Sequence, residues 1–106
     1  RPTAVFAGSN LMTLGALQAV HEARLAIPDD VAVIGFDEMP WSTSLQPPLS
    51  VVAQPAFDMG VSAAKLLLER IANPCAAPKK IIHNTQLILR ASSGSALTRP
   101  WSGNTA

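Results

Sequence analysis

Two short, uninterrupted apolar runs, Thr3 to Gly8 (TAVFAG) and Val31 to Phe36 (VAVIGF), leave this chain few ways to fold. Neither run alternates polar with apolar side chains, so each reads as a strand buried on both faces. Between them, Ser9-Asn10 supplies a helix cap and a helical stretch runs from Leu11 to about Leu25. Pro28 and the Asp29-Asp30 pair then make a turn. Strand, helix and strand in so short a span form a βαβ unit, predicting two parallel strands joined by a right-handed crossover. The fold class is therefore α/β.

Downstream, Met39 to Pro48 is irregular, with three prolines and room for a short helical turn over Trp41 to Leu45. Leu49 to Ala53 reads as a third strand. Pro55 opens a helix that runs to about Ala72 and stops at Asn73-Pro74. Ile81-Ile82 and Thr85 to Leu89 predict one or two late strands around Asn84. From Ser92 to Ala106, ten of fifteen residues are Ser, Thr, Gly, Asn or Pro, which predicts a disordered tail.

Helical periodicity adds partners to this outline. On the first helix, Met12, Ala16, Ala19, Val20 and Ala23 form one narrow apolar face suited to packing on a sheet. Leu14 and Leu17 fall on the opposite side beside Gln18, His21 and Arg24, and read either as ordinary exposed residues or, as the low charge content favours, as a contact with another subunit. The second helix is apolar over most of its circumference, leaving a thin polar strip of Asp58, Ser62, Lys65 and Glu69. It is expected to be nearly surrounded.

Composition bounds the function. The 106 residues are 48% apolar and 14% charged, where a soluble domain ordinarily carries roughly 25% charged residues. A surface so poor in charge is expected to be covered by something else. The chain also begins at Arg1 rather than Met, as an excised piece would. Eight Lys and Arg against seven Asp and Glu give a net charge of +1 with no basic run, so this stretch carries no nucleic-acid footprint of its own. The single cysteine, Cys75, excludes an internal disulfide and a cysteine metal cage. The longest apolar runs fall far short of a membrane span.

Two positions lie where open parallel sheets place ligands, just past the carboxyl ends of strands: Ser9-Asn10 and Asp37-Glu38. A carboxylate such as Asp37 accepts paired hydrogen bonds from vicinal hydroxyls or ring N–H groups. The plainer reading makes Ser9 or Asn10 a helix cap and Asp37 the start of a turn. Machinery for catalysis is missing. His21 lies on a helix exterior, no Cys–His spacing suits a metal, and Gly8-Ser9 lacks the glycines and lysine of a phosphate loop. Asp37 and Glu38 are adjacent, so their side chains diverge and cannot act as a hydrolytic pair. No catalytic residue, cofactor or metal is expected.

Three segments together carry a family resemblance: Thr3 to Gly15 (TAVFAGSNLMTLG), Ile27 to Asp37 (IPDDVAVIGFD), and Pro47 to Pro55 (PPLSVVAQP). In that order they resemble the C-terminal third of the effector-binding core in LacI/GalR-type bacterial transcription regulators. The resemblance spans about residues 2 to 93. It implies the C-terminal part of a type I periplasmic-binding-protein-like fold, two α/β lobes with parallel sheets and an effector between them. Residues 2–53 and about 85–91 would belong to the C-terminal lobe, the 55–73 helix to the N-terminal lobe, and 92–106 to the tail.

By the same resemblance, Asp37 falls on the family's effector-binding aspartate, which meets sugar hydroxyls or a purine. Ser9 and Asn10 fall where many members carry an Asn-Asp pair, and Gln54 falls near the cleft floor. Leu14, Leu17, Gln18, Trp41, Ser44 and Leu45 fall on the segments that build a homodimer interface. DNA would be met only through an N-terminal helix-turn-helix outside this chain, in a cytoplasmic protein with no membrane contact. Two other classes share such units. A periplasmic sugar-binding protein of an ABC transporter would leave Leu14 and Leu17 exposed in a monomer, and an α/β enzyme would need catalytic residues this stretch lacks.

Overall fold

The computed structural model describes residues 2–94. The chain divides into two compact units, one of residues 2–53 with 86–94 and one of residues 54–85.

The first unit is a four-stranded sheet, β1 (Ala4–Phe6), β2 (Ala32–Phe36), β3 (Ser50–Ala53) and β4 (Gln86–Ile88), in that spatial order. β1, β2 and β3 are mutually parallel, and β4 closes the edge antiparallel to β3. The helix α1 (Asn10–Glu22) links β1 to β2. Ser9 caps it, extended at φ −157°, its Oγ accepting the Met12 amide at 3.2 Å. At the other end Arg24 turns into the left-handed region at φ 55°. The Arg24 amide then donates to the His21 carbonyl and the Leu25 amide to that of Val20, a Schellman closure. Asp30 ties off the next turn by accepting the Ala26 amide at 2.7 Å.

The core lies on one face of this sheet. Val33, Leu49 and Val51 are buried there, with Leu17, Ile27, Trp41, Leu45 and Ile88 packed against them. The facing side of α1 is built on Thr13, Ala16, Leu17 and Val20: of the five residues that the apolar periodicity predicts there, Ala16 and Val20 lie on it and Met12, Ala19 and Ala23 do not. Thr13 and Val20 are buried, Met12 is 62% exposed, and Ala19 and Ala23 are exposed. The cause is Gly35. A Cβ at that position would sit 2.8 Å from Thr13 Cγ2, so the bare backbone of β2 forms the slot into which Thr13 fits. With Thr13 inward, Leu17 turns inward too. Its predicted place on the outer face beside Leu14 is therefore corrected.

The other face of the sheet is open. Registers Phe6–Ile34 and Phe36–Val52–Leu87 put these side chains on it, with Phe6 and Phe36 edge to face at a centroid distance of 6.4 Å. Phe6 is 59% exposed. The expectation that β1 and β2 are buried on both faces is thus met on one face only. The described residues of this unit supply a single covering layer, and a parallel sheet needs two.

The strand expected over Thr85 to Leu89 is present as β4, but the chain does not go slack at Ser92. Ala91–Ser93 form a 3₁₀ turn. The buried Ser92 hydroxyl donates to the Val33 carbonyl and accepts the Ser50 amide, each at 2.7 Å. Serines that satisfy buried sheet backbone are structural, so the predicted tail loses its first residues to the fold. Residues 95–106 lie outside the described residues.

The second unit is the helix α2 (Ala56–Ala72) and the segment that returns along it. Ile81-Ile82 is not a strand. His83 Nε2 lies 3.0 Å from Ser62 Oγ, and Lys79 pairs with Glu69 at 3.2 Å, so this stretch lies along a helix that offers no strand to pair with. No residue of α2 is buried, against the expectation that it would be nearly surrounded. Phe57, Val61, Leu68 and Ile71, one helical stripe, are all exposed; the layer to cover them is not among the described residues.

Candidate functional site at the strand ends

The parallel order of β1 and β2 brings the two predicted ligand positions to the same edge of the sheet. β1 is followed by the buried Ala7, whose amide donates to the Ile34 carbonyl, and the chain then passes through Gly8 into α1. Ser9 is spent on the helix: its Oγ accepts the Met12 amide and its carbonyl takes the Thr13 hydroxyl at 2.7 Å. Asn10, half-buried, reaches across to the end of β2, where its Nδ2 lies 3.8 Å from Met39 Sδ. Asn10 and the Asp37–Met39 turn are therefore neighbours.

Asp37 is held in an uncommon conformation. Its φ is 78°, in the left-handed region that residues other than Gly enter uncommonly, Asn and Asp more often than the rest. Its amide donates to the Val52 carbonyl at 2.8 Å, so β3 fixes the backbone at the point where it turns. Strain of this kind survives only where the surroundings over-determine it, and it concentrates at ligand-binding sites.

Beyond Asp37 the turn is tied down twice. The Glu38 carboxylate takes both arms of the Arg90 guanidinium, Nη1 to Oε1 at 3.0 Å and Nη2 to Oε2. Arg90 Nη1 also donates to the Leu49 carbonyl at 2.8 Å. The Arg90 contact, with smaller help from Ser42 and the Met39 backbone, holds the Glu38 carboxyl below the ordinary glutamate range. Glu38 in turn pushes the Arg90 guanidinium further up. Next in the chain, the Met39 amide donates to the buried Ser42 Oγ at 3.1 Å, and the Leu49 amide donates to the Ser42 carbonyl.

The sequence named Asp37 and Asn10 but missed Arg90, Met39 and Ser42. Arg90 stands 52 residues from Glu38, and the one hint was a cation ending the apolar run Leu87 to Leu89. Gln54 falls in the second unit, half-buried directly after β3.

The residues expected at a subunit contact fall into two groups. Leu17, Trp41 and Leu45 pack on the core, and Leu17 and Leu45 also line an open groove of about 440 Å³ with His21, Ile27 and Pro47. Leu14, Gln18 and Ser44 face outward; Gln18 Nε2 bonds Glu22 Oε1 at 3.1 Å. Among the described residues, no three His, Cys, Asp or Glu side chains cluster as a metal site would require, and no helix is long and apolar enough to cross a membrane.

The periplasmic binding protein-like domain family matches residues 1–93. The ribose operon repressor of Haemophilus influenzae is 38% identical over 92 residues, covering 87% of this chain and 28% of that protein. The probable HTH-type transcriptional repressor ExuR of Bacillus subtilis is 40% identical over 91 residues, 86% of this chain and 27% of its own length. Among solved structures, a LacI family transcriptional regulator from Enterococcus faecalis V583 with bound ribose superposes with a TM-score of 0.78 at 35% identity, over 88% of this chain and 35% of that one. This chain thus spans little more than a quarter of the curated relatives it matches. It belongs to the periplasmic binding protein-like domain family, and the proteins it resembles are LacI-type transcription regulators.

Proposed function

We propose that this chain is the effector-binding and dimer-forming part of a cytoplasmic transcription regulator, with Asp37 as the principal polar contact to a sugar. The carrying observation is the conformation of Asp37: a carboxylate at the end of a parallel strand, at φ 78°, with its backbone pinned to β3. A carboxylate carried on a pinned backbone is suited to vicinal hydroxyls, which donate to its two oxygens as a pair. Asn10, on the neighbouring strand end, adds a polar side chain on the same edge. The ribose seen in the Enterococcus faecalis relative favours a sugar over a purine. Ser9 contributes through its helix cap more than through a free hydroxyl, and Gln54 is offered as a further contact on the family resemblance.

In this reading, residues 2–53 with about 85–91 form one lobe and the 55–73 helix belongs to the other, in keeping with the division of the chain into two units. The outward Leu14, Gln18 and Ser44, with Leu17, Trp41 and Leu45 behind them, form the homodimer surface. DNA is met by a helix-turn-helix elsewhere in the protein. Effector binding shifts the regulator between states only through its different affinity for each.

The test is calorimetric titration of the full-length protein with ribose and a panel of related sugars and purines, repeated with Asp37→Ala. Loss of a charged partner is expected to weaken binding by at least about 2 kcal/mol, roughly thirtyfold. Unchanged affinity in that variant overturns the proposal.

A further inference from the structure

The left-handed Asp37 is followed at once by the best-anchored ion pair in the described structure, and the two facts belong together. Arg90 is fixed before it reaches Glu38. Its amide donates to Ser50 Oγ at 2.7 Å, its carbonyl accepts from the same hydroxyl at 2.9 Å, and its Nη1 donates to the Leu49 carbonyl at 2.8 Å. Its side chain is 17% exposed. The guanidinium is therefore a rigid fork mounted on the β3 side of the sheet, with its remaining reach taken up by both oxygens of Glu38.

We infer that Arg90 is a positioning residue for effector binding: by clamping Glu38 it holds the turn that presents Asp37. The inference rests on the effector reading above and deepens it. The backbone at Asp37 is tethered on one side by its own amide, bonded to Val52, and on the other by the Glu38 side chain. Take away the second tether and a strained φ can relax toward an ordinary conformation, which swings the carboxylate away from the strand end. Lysine cannot replace the fork, because a single ammonium fixes a position without fixing the plane of the carboxylate.

The experiment uses two variants of the full-length protein and two readouts. Arg90→Met removes the fork. Glu38→Ala breaks the same pair from the more exposed end, leaving Arg90 in its sheet anchors should Arg90→Met fail to fold. Amide hydrogen exchange in peptides spanning 36–41 is expected to speed up about tenfold or more in either variant, while β2 and β3 peptides around Val33 and Val51 keep their protection. Affinity for ribose, the probe, is expected to fall about tenfold, with the double variant no worse than either single. A role confined to overall stability would loosen all these peptides alike. Unchanged protection over 36–41 overturns the inference. If Asp37→Ala leaves sugar affinity intact while exchange over 36–41 still responds to Arg90, the effector reading falls and the clamp stands as a device of the turn alone.

Discussion

Gly35 and Thr13 face each other across a close approach between α1 and the sheet: a Cβ on Gly35 would lie 2.8 Å from Thr13 Cγ2, 2.9 Å from Thr13 Oγ1 and 3.3 Å from Leu49 Cδ2. Neither neighbour can retreat easily, since Thr13 donates to the Ser9 carbonyl and Leu49 is 1% exposed in the core. Gly35→Ala is expected to destabilise the chain by about 1–3 kcal/mol in urea unfolding. Gly15→Ala, on the outer side of the same helix with nothing within 4 Å, is expected to stabilise it by about 0.5–1 kcal/mol. Equal effects from the two substitutions would mean that the Thr13 slot does not set the helix–sheet distance.

Ser92 ties the return of the chain to the interior. Its hydroxyl serves the Val33 carbonyl and the Ser50 amide at once, and it is 1% exposed. Ser92→Ala leaves two buried backbone groups without that partner, so a loss of about 2–3 kcal/mol is expected. The same variant is expected to raise hydrogen exchange at Ser50. A Ser92→Ala protein as stable as its parent would return this segment to the tail that its composition suggests.

What the sequence disclosed and what it hid divide along physical lines. β1 and β2 were legible because an apolar run bounded by glycine or aspartate has few other uses, and the strand-end position of Asp37 follows from them. The inner face of α1 was not, because periodicity ranks side chains by apolarity and Thr13 is chosen by shape: it fits only because Gly35 lacks a Cβ. Ser92 was misjudged for a related reason. A serine-rich stretch looks unable to fold until the sheet edge supplies carbonyls and amides for its hydroxyls. Ile81 and Ile82 have strand propensity, yet propensity needs a partner strand, and α2 is what lies beside them. The Arg90–Glu38 clamp joins residues 52 apart and leaves no local pattern to find.

Arg24 sits at the left-handed position that closes α1, at φ 55°. A side chain there costs about 1 kcal/mol that glycine does not. Arg24→Gly is therefore expected to stabilise the chain by up to about 1 kcal/mol while the Arg24–His21 and Leu25–Val20 hydrogen bonds persist. The chemical-denaturation midpoint reports the gain. A fall in midpoint would show that the Arg24 side chain contributes more than its backbone costs.

The Glu38–Arg90 pair sets the sign of one pH dependence. Arg90 holds the folded Glu38 carboxyl below its unfolded value of about 4.3. The stabilisation is thus complete above that unfolded value and disappears as the pH falls through the lower, folded one. With Glu38 34% exposed, solvent screens the pair, and about 1 kcal/mol or less is at stake. Unfolding free energies of the parent and of Glu38→Gln are expected to differ by a constant amount from pH 7 to pH 5. Below about pH 4 the two curves converge, as the protonated glutamate comes to resemble its amide. Arg90 stays charged throughout this range, so the convergence reports Glu38 alone. Curves that run parallel down to pH 2 would mean that the fork holds the turn by geometry without drawing on the carboxylate charge.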